Sequence, residues 1–212
     1  MSPPLSVAVV AKERLKSPRV RLFVALDLPD ELREGIVAWG SEALADPALR
    51  PVAPESLHVT LAFLGNRPER EIEDIAAVMA ANDGPAPWAE MLDPVARPPR
   101  GRARLFALPV LSPGAEALQE GLSKGLEVAG FYRPEKRPFW PHVTVARVRS
   151  ETRGSRRPAA VSEPPGKLPE RLSEARVCRR MTLYRSELKP TGAHYAPLAH
   201  VELPGGGGSE VI

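Results

Sequence analysis

Residues 56–65 read SLHVTLAFLG and residues 141–148 read PHVTVARV. Each is a short run of β-branched, aliphatic and aromatic residues bounded by a turn former or a charge, so each predicts a buried strand. The tripeptide His-Val-Thr stands in both, as His58-Val59-Thr60 and His142-Val143-Thr144. With five threonines in 212 residues, a His-x-Thr at any one histidine is about a one-in-forty coincidence. Two of the four histidines carry one. Successive strand side chains alternate between faces, so each His shares a face with its Thr while Val59 and Val143 face the other way.

The flanking sequence repeats as well. RLFVALDL (21–28) alternates, with Leu22, Val24, Leu26 and Leu28 on one face. Pro29-Asp30 opens a helix to about Asp46, with Leu32, Ile36, Trp39 and Ala43 at helical spacing. After Gly65, Asn66 with Glu69 has the form of a capping box, and Ile72, Ile75 and Met79 stripe a second helix that ends near Gly84. In the second half RLFALPVL (104–111) is a strand. Ser112-Pro113 starts a helix with Leu118, Leu122 and Leu126 on one side, ending at Gly130. RVCRRMTLYRSEL and HYAPLAHVEL form a hairpin through KPTGA. Strand, helix and His-Val-Thr strand, given twice, predict an α+β fold with helices packed outside sheets.

At 43% hydrophobic and 26% charged residues the composition is that of an ordinary soluble domain. No run approaches the roughly 18 apolar residues of a membrane helix, and in the N-terminal segment charges follow the apolar run instead of preceding it. The expected location is the cytoplasm and the expected state a monomer. Cys178, the only cysteine, excludes an internal disulfide and a thiolate metal cluster, and its apolar run predicts an inert buried thiol. A net charge of +3 says little about partners. The basic clusters RPPRGRAR (97–104), RPEKR (133–137) and RGSRR (153–157) read as loops. Residues 149–169, rich in arginine and proline, predict a flexible basic insertion.

Two imidazoles and two hydroxyls suit the opening of a cyclic phosphodiester by water. That reaction takes a proton from the nucleophile and gives one to the leaving ribose oxygen. Histidines with unperturbed pKa values of about 6.5 can divide the two tasks near neutral pH. Thr60 and Thr144 can donate hydrogen bonds to the non-bridging phosphate oxygens, where charge accumulates. No metal or other cofactor is called for. Two histidines without a carboxylate or thiolate at ligand spacing make an incomplete metal shell. The alternative of two ordinary strand histidines is disfavoured by the duplication.

These motifs resemble the two-histidine phosphoesterase superfamily. Within it they are most similar to the bacterial and archaeal RNA 2′,3′-cyclic phosphodiesterases, also called 2′-5′ RNA ligases. The resemblance runs from about Arg21 to Leu203 through RLFVALDLP, LHVTLAFLG, RLFALPV, PFWPHVTVARV and LYRSELKPTGAHY. It implies a bilobal fold in which two antiparallel sheets form a concave cleft. It also implies hydrolysis of 2′,3′-cyclic phosphate ends of RNA or nucleotides to 2′-phosphomonoesters, with 2′-5′ ligation as the reverse reaction. By motif position His58 is the proton donor, His142 the acceptor, and Thr60 and Thr144 the phosphate ligands. Alternatives are another small cyclic nucleotide as substrate, or a non-catalytic nucleotide- or RNA-binding module. Residues 1–19 form an N-terminal extension, 20–204 the phosphoesterase domain and 205–212 a glycine-rich tail.

Arg147 matches an arginine that the family often carries after the second motif. In a regular strand it would share parity with Val143 and Val145 and face away from His142. It reaches the cleft if the strand bulges or ends there. Phe139 and Trp140, at the entrance to the second strand, are expected at the cleft rim, and Tyr195 is a further aromatic that could stack a base. Phe63 shares parity with Val59 and Leu61 and is expected in the core. His194 and His200 are expected on the hairpin surface.

Overall fold

The computed structural model describes residues 17–205 except 83, 190 and 191. Most of the N-terminal extension, the centre of the KPTGA turn and nearly all of the glycine-rich tail therefore lie outside the described residues. The chain runs β1 (Arg19–Asp27), α1 (Asp30–Ala43), β2 (Leu49–Pro51), β3 (His58–Pro68), α2 (Ile72–Ala80), β4 (Trp88–Met91) and β5 (Val95–Arg97). It continues through β6 (Leu105–Leu111), α3 (Pro113–Val128), β7 (His142–Val148), α4 (Glu170–Ser173), β8 (Arg176–Val177), β9 (Arg180–Lys189) and β10 (Gly192–Glu202). None of these helices is long and apolar enough to cross a membrane.

Every strand pairing is antiparallel, in the order β10-β9-β1-β3-β7-β6-β4-β8, with β2 added to β7 and β5 to β6. Within that curled sheet one half, β10-β9-β1-β3, and the other, built on β7 and β6, meet through a single residue pair, Val59 opposite Val143. The α+β class with two antiparallel halves thus holds. One continuous apolar core serves both: Leu22, Val24, Leu26 and Val59 from one half join Leu108, Leu122 and Val143 from the other. A leucine fully buried in this way contributes about 1.5–3 kcal/mol relative to an exposed one.

The helices form where the apolar stripe predicts them. Leu32 and Ile36 of α1, Ile75 and Met79 of α2, and Leu118, Leu122 and Leu126 of α3 are the buried residues of their faces. Ser112 caps α3, its Oγ accepting from the Ala115 N–H at 3.1 Å. Gly130 then ends that segment with φ +76°. Gly35 lets α1 approach α4, because a side chain there would collide with Leu172.

Two local expectations fail for one reason, which is that strand pairing overrides local signals. Asn66 does not begin a capping box. It stays in β3 opposite Arg21, and α2 starts only after a 3-10 turn at Glu69–Glu71 without a side-chain cap. RVCRRMTLYRSEL is not one strand either. Arg176–Val177 pair with β4, Cys178 N–H donates to the Pro87 carbonyl, and the run from Arg180 joins β1 and β10.

Residues 149–169 hold neither helix nor strand beyond an isolated bridge between Ser150 and Pro158, yet they are tied down. The Asp46 carboxylate accepts from the backbone N–H groups of Ala48 (2.7 Å), Ser162 (2.8 Å) and Glu163 (2.8 Å). Arg102 donates to the Pro158 carbonyl, the Leu168 N–H to Asp93, and Trp39 Nε1 to the Lys167 carbonyl. The N–H groups of Glu163 and Ala48 hold the Asp46 carboxyl below the ordinary aspartate range. Its contribution to stability is therefore present above the unfolded-state value near 3.8 and lost as pH falls through the lower folded value. Replacing Asp46 by Ala should speed tryptic cleavage after the exposed Arg153 and Arg156 at neutral pH. Cleavage at the wild-type rate would show that Asp46 does not hold this segment.

Candidate active site

The seam between the two halves places both motifs. Because β3 and β7 are antiparallel and pair at Val59 and Val143, His58 comes towards Thr144 and Thr60 towards His142. The two valines are fully buried, while the four polar side chains are half-buried on the opposite face. The alternation read from each tripeptide is preserved, and the antiparallel seam relates the two copies by an approximate twofold axis.

Beyond each tripeptide the strand bulges at the same place. In β3, Ala25 pairs with Thr60 and Val24 with Ala62, leaving Leu61 as the extra residue. In β7, Ala107 pairs with Thr144 and Phe106 with Ala146, leaving Val145 extra. An extra residue reverses the parity of all that follows. Leu61 and Ala62 are both buried, as are Val145 and Ala146, and the next side chains, Phe63 and Arg147, turn out of the core. Phe63 is 55% exposed, which corrects its expected place in the core. For Arg147 the strand does bulge and the side chain is exposed, but Arg147 is not among the residues that line the cavity of His142 and Thr60. Phe63 and Arg147 occupy equivalent positions in the two halves.

His58 lies among aromatic rings. Phe23 stacks on it at 5.0 Å, Tyr184 at 5.9 Å, and Tyr195 meets it edge-on at 5.5 Å. Its Nδ1 is buried without a hydrogen-bond partner. Burial, and then the charge of His142, bring its pKa down to about 4. His142 is held differently. Its Nδ1 lies 2.7 Å from the Trp140 carbonyl oxygen, and since a carbonyl only accepts, Nδ1 carries the proton. Neutral His142 therefore presents Nε2 as a lone pair. Trp140 stacks on its ring at 4.0 Å and 14°. Burial lowers its pKa most, the Trp140 carbonyl opposes that, and the positive charge of Arg97 lowers it further.

Thr60 and His142 open on a cavity of about 1020 Å³, whose lining includes Phe63, Phe139, Trp140 and Arg97. Phe139 sits on the cavity wall and also packs against the core. Trp140 lines the cavity too, but it already carries two planar groups, His142 and the guanidinium of Arg97, 3.7 Å from its ring centre. Each lies within 4 Å of the indole, which leaves one face for each. Tyr195 belongs to the His58 cluster, while His194 and His200 are exposed on β10. Cys178 is buried, and burial followed by the charge of Asp27 pushes its thiol up to about 12, so it is inert.

Four side chains of the site escape the sequence reading: Phe23, Asp27, Tyr184 and Arg97. Asp27 ends β1 opposite His58, and its carboxylate accepts from Thr182 Oγ1 (2.7 Å) and Tyr184 OH (2.9 Å). Burial raises the Asp27 pKa against those two hydrogen bonds, and burial together with the Asp27 charge raises the Tyr184 phenol. The bonds brace the tyrosine that stacks on Phe23 and His58. Phe23 had a signal in its odd parity in an alternating strand, Arg97 in opening the basic cluster 97–104, and Tyr184 in the quoted run LYRSELKPTGAHY. The partners of Asp27 are more than 150 residues away in sequence.

The 2′-5′ RNA ligase superfamily matches over residues 28–186. A Thermus thermophilus protein named RNA 2′,3′-cyclic phosphodiesterase is 32% identical over 204 residues, covering 90% of this chain and 94% of its own. One of the same name from Escherichia coli is 32% identical over 178 residues, covering 84% of this chain and 93% of its own. The crystal structure of E. coli LigT complexed with 3′-AMP superposes with a TM-score of 0.68 at 29% identity, over 87% of this chain and 98% of that one. By sequence match and fold, the chain belongs to the 2′-5′ RNA ligase superfamily.

Proposed function

We propose that the protein is an RNA 2′,3′-cyclic phosphodiesterase that opens cyclic phosphate ends by acid–base catalysis between His58 and His142. One observation carries the reading. The antiparallel seam at Val59 and Val143 gathers two imidazoles and two threonine hydroxyls on one concave face. The names of the relatives and the nucleotide complex of a family member support the same substrate class.

In this mechanism His142 is the base. The Trp140 carbonyl keeps the proton on Nδ1, so Nε2 is free to take one from an attacking water. His58 gives its proton to the departing ribose 3′ oxygen, which leaves a 2′-phosphomonoester. Thr60 and Thr144 donate hydrogen bonds to the non-bridging oxygens as their charge grows. In the empty site His58 is neutral at pH 7, because burial disfavours its charged form. A phosphate anion beside it reverses that preference, so substrate binding charges the acid. Depressed pKa values on the free pair keep two cations from facing each other in the cleft. The groups required are all side chains, so the reaction proceeds without metal or cofactor. Ligation would follow the same steps with a 5′-hydroxyl in place of water, its oxygen bonding to phosphorus as the 3′ oxygen leaves, and we place the enzyme in the cytoplasm as a monomer.

Phosphorus NMR of 2′,3′-cyclic AMP incubated with the protein in EDTA should show the 2′-phosphate as sole product. Exclusive 3′-phosphate would exchange the acid and base, and no conversion would remove the reading. His58→Ala and His142→Ala should each lower kcat by roughly 10²-fold or more with the circular dichroism spectrum unchanged. A variant keeping a tenth of wild-type rate would be incompatible with its role. In the free protein the His58 ring should titrate near pH 4 by NMR. Saturating 2′-AMP should raise that midpoint by about one unit or more. An unchanged midpoint would count against His58 as the acid.

A further inference from the structure

We propose that Arg97, Arg147 and Arg50 form a second anion site, which holds a phosphate of the substrate other than the cyclic one. The proposal rests on the phosphodiesterase reading and adds two residues, Arg50 and Arg97, to the Arg147 that the second motif already suggested. It makes the preferred substrate a strand or nucleotide with a phosphate 5′ to its terminal cyclic nucleoside.

The observation is one of register. Arg97 of β5 pairs with Leu105 of β6, Leu105 pairs with Arg147 of β7, and Arg147 pairs with Arg50 of β2. Residues directly opposite across neighbouring strands project to the same face, with strands about 4.8 Å apart. Four adjacent strands therefore set Arg97, Leu105, Arg147 and Arg50 in one row. Arg97 and Leu105 line the cavity that His142 and Thr60 open into, and Arg147 and Arg50 continue the row on the same face beyond the cavity wall. The row depends on the β7 bulge, because without the extra Val145 the parity of Arg147 would be reversed.

The charges of this row are uncompensated. None of the three arginines has a carboxylate within 4.0 Å among the described residues. The glutamates lining the cavity belong to α3 and the 133–140 loop, and of these Glu120 is already paired with Lys124. Like charges directly opposite in a ladder are unfavourable, as Arg50 and Arg147 are. Arg97 stacks on Trp140 with its Nε buried and unpartnered, so the indole fixes the guanidinium at the edge of the reacting pair. An anion beside this row would offset its like-charge repulsion, and the row begins at the wall of the cavity that holds His142 and Thr60. The indole of Trp140 stands between Arg97 and His142, so the anion at Arg97 is not the one undergoing attack. It is the next phosphate along.

The test compares kcat/KM for three substrates: 2′,3′-cyclic AMP, its 5′-phosphorylated form, and a dinucleotide with a 2′,3′-cyclic end. The wild type should favour the phosphate-bearing substrates by roughly 10- to 100-fold, the range for charge-assisted hydrogen bonds. Preference for the dinucleotide alone identifies an internucleotide linkage as the anion, and equal preference for both identifies any 5′ phosphate. Arg50→Ala and Arg97→Ala should each reduce the preference ratio, and Arg97→Lys should retain part of it. The salt dependence of kcat/KM on the dinucleotide should weaken in each alanine variant. Turnover of cyclic AMP without any wild-type preference would overturn the second site and leave the phosphodiesterase reading intact. A ratio unchanged in both alanine variants would do the same. Failure to turn over any of the three would remove both.

Discussion

Val59 and Val143 are the point at which the two halves of the sheet touch, and the geometry of the cleft is referred to that contact. Both side chains are buried in the common core, so the seam is fixed by the removal of apolar surface from water, not by a polar contact. With the valines pinned inward, alternation leaves His58, Thr60, His142 and Thr144 no choice but the opposite face. A slip of one residue by either strand would send its imidazole and threonine into the core and its valine into the cleft. A single cross-strand pair also lets the halves splay on either side of it, which opens the concavity.

The bulges complete what the seam begins. Each tripeptide is followed by an extra residue at the same offset, Leu61 in one half and Val145 in the other. The inward set of side chains is displaced by one, and Phe63 and Arg147 are released from the core face. One half thereby offers an aromatic ring and the other a guanidinium at equivalent positions. The approximate symmetry of the backbone thus carries an asymmetric surface.

The same asymmetry distinguishes the two histidines. His58 is enclosed by Phe23, Tyr184 and Tyr195 and has no partner for its buried Nδ1. His142 has a carbonyl on Nδ1, an indole against its ring and a cation behind that indole. One environment disfavours the charged imidazole, and the other holds the proton on Nδ1 and leaves Nε2 as a lone pair. Two copies of one tripeptide are in this way given different proton chemistry by residues that neither copy contains.

The sequence by itself determined the two strands, their helices and the face on which each His and Thr lies, because strand and helix periodicity are local and the duplicated tripeptide marked where to look. The burial of Cys178 and the cap of α3 by Ser112 were legible for the same reason. It left Phe63 on the wrong side, could not settle Arg147, and gave Asn66 a cap it does not form. Each of those depends on which residues the neighbouring strand places opposite, and a bulge is a property of the pair of strands. The Asp27, Thr182 and Tyr184 cluster and the row of Arg97, Arg147 and Arg50 lay equally beyond reach. Their members come from distant parts of the chain, and only the tertiary pairing of β1 with β9, and of β5, β6, β7 and β2 in one register, brings them together.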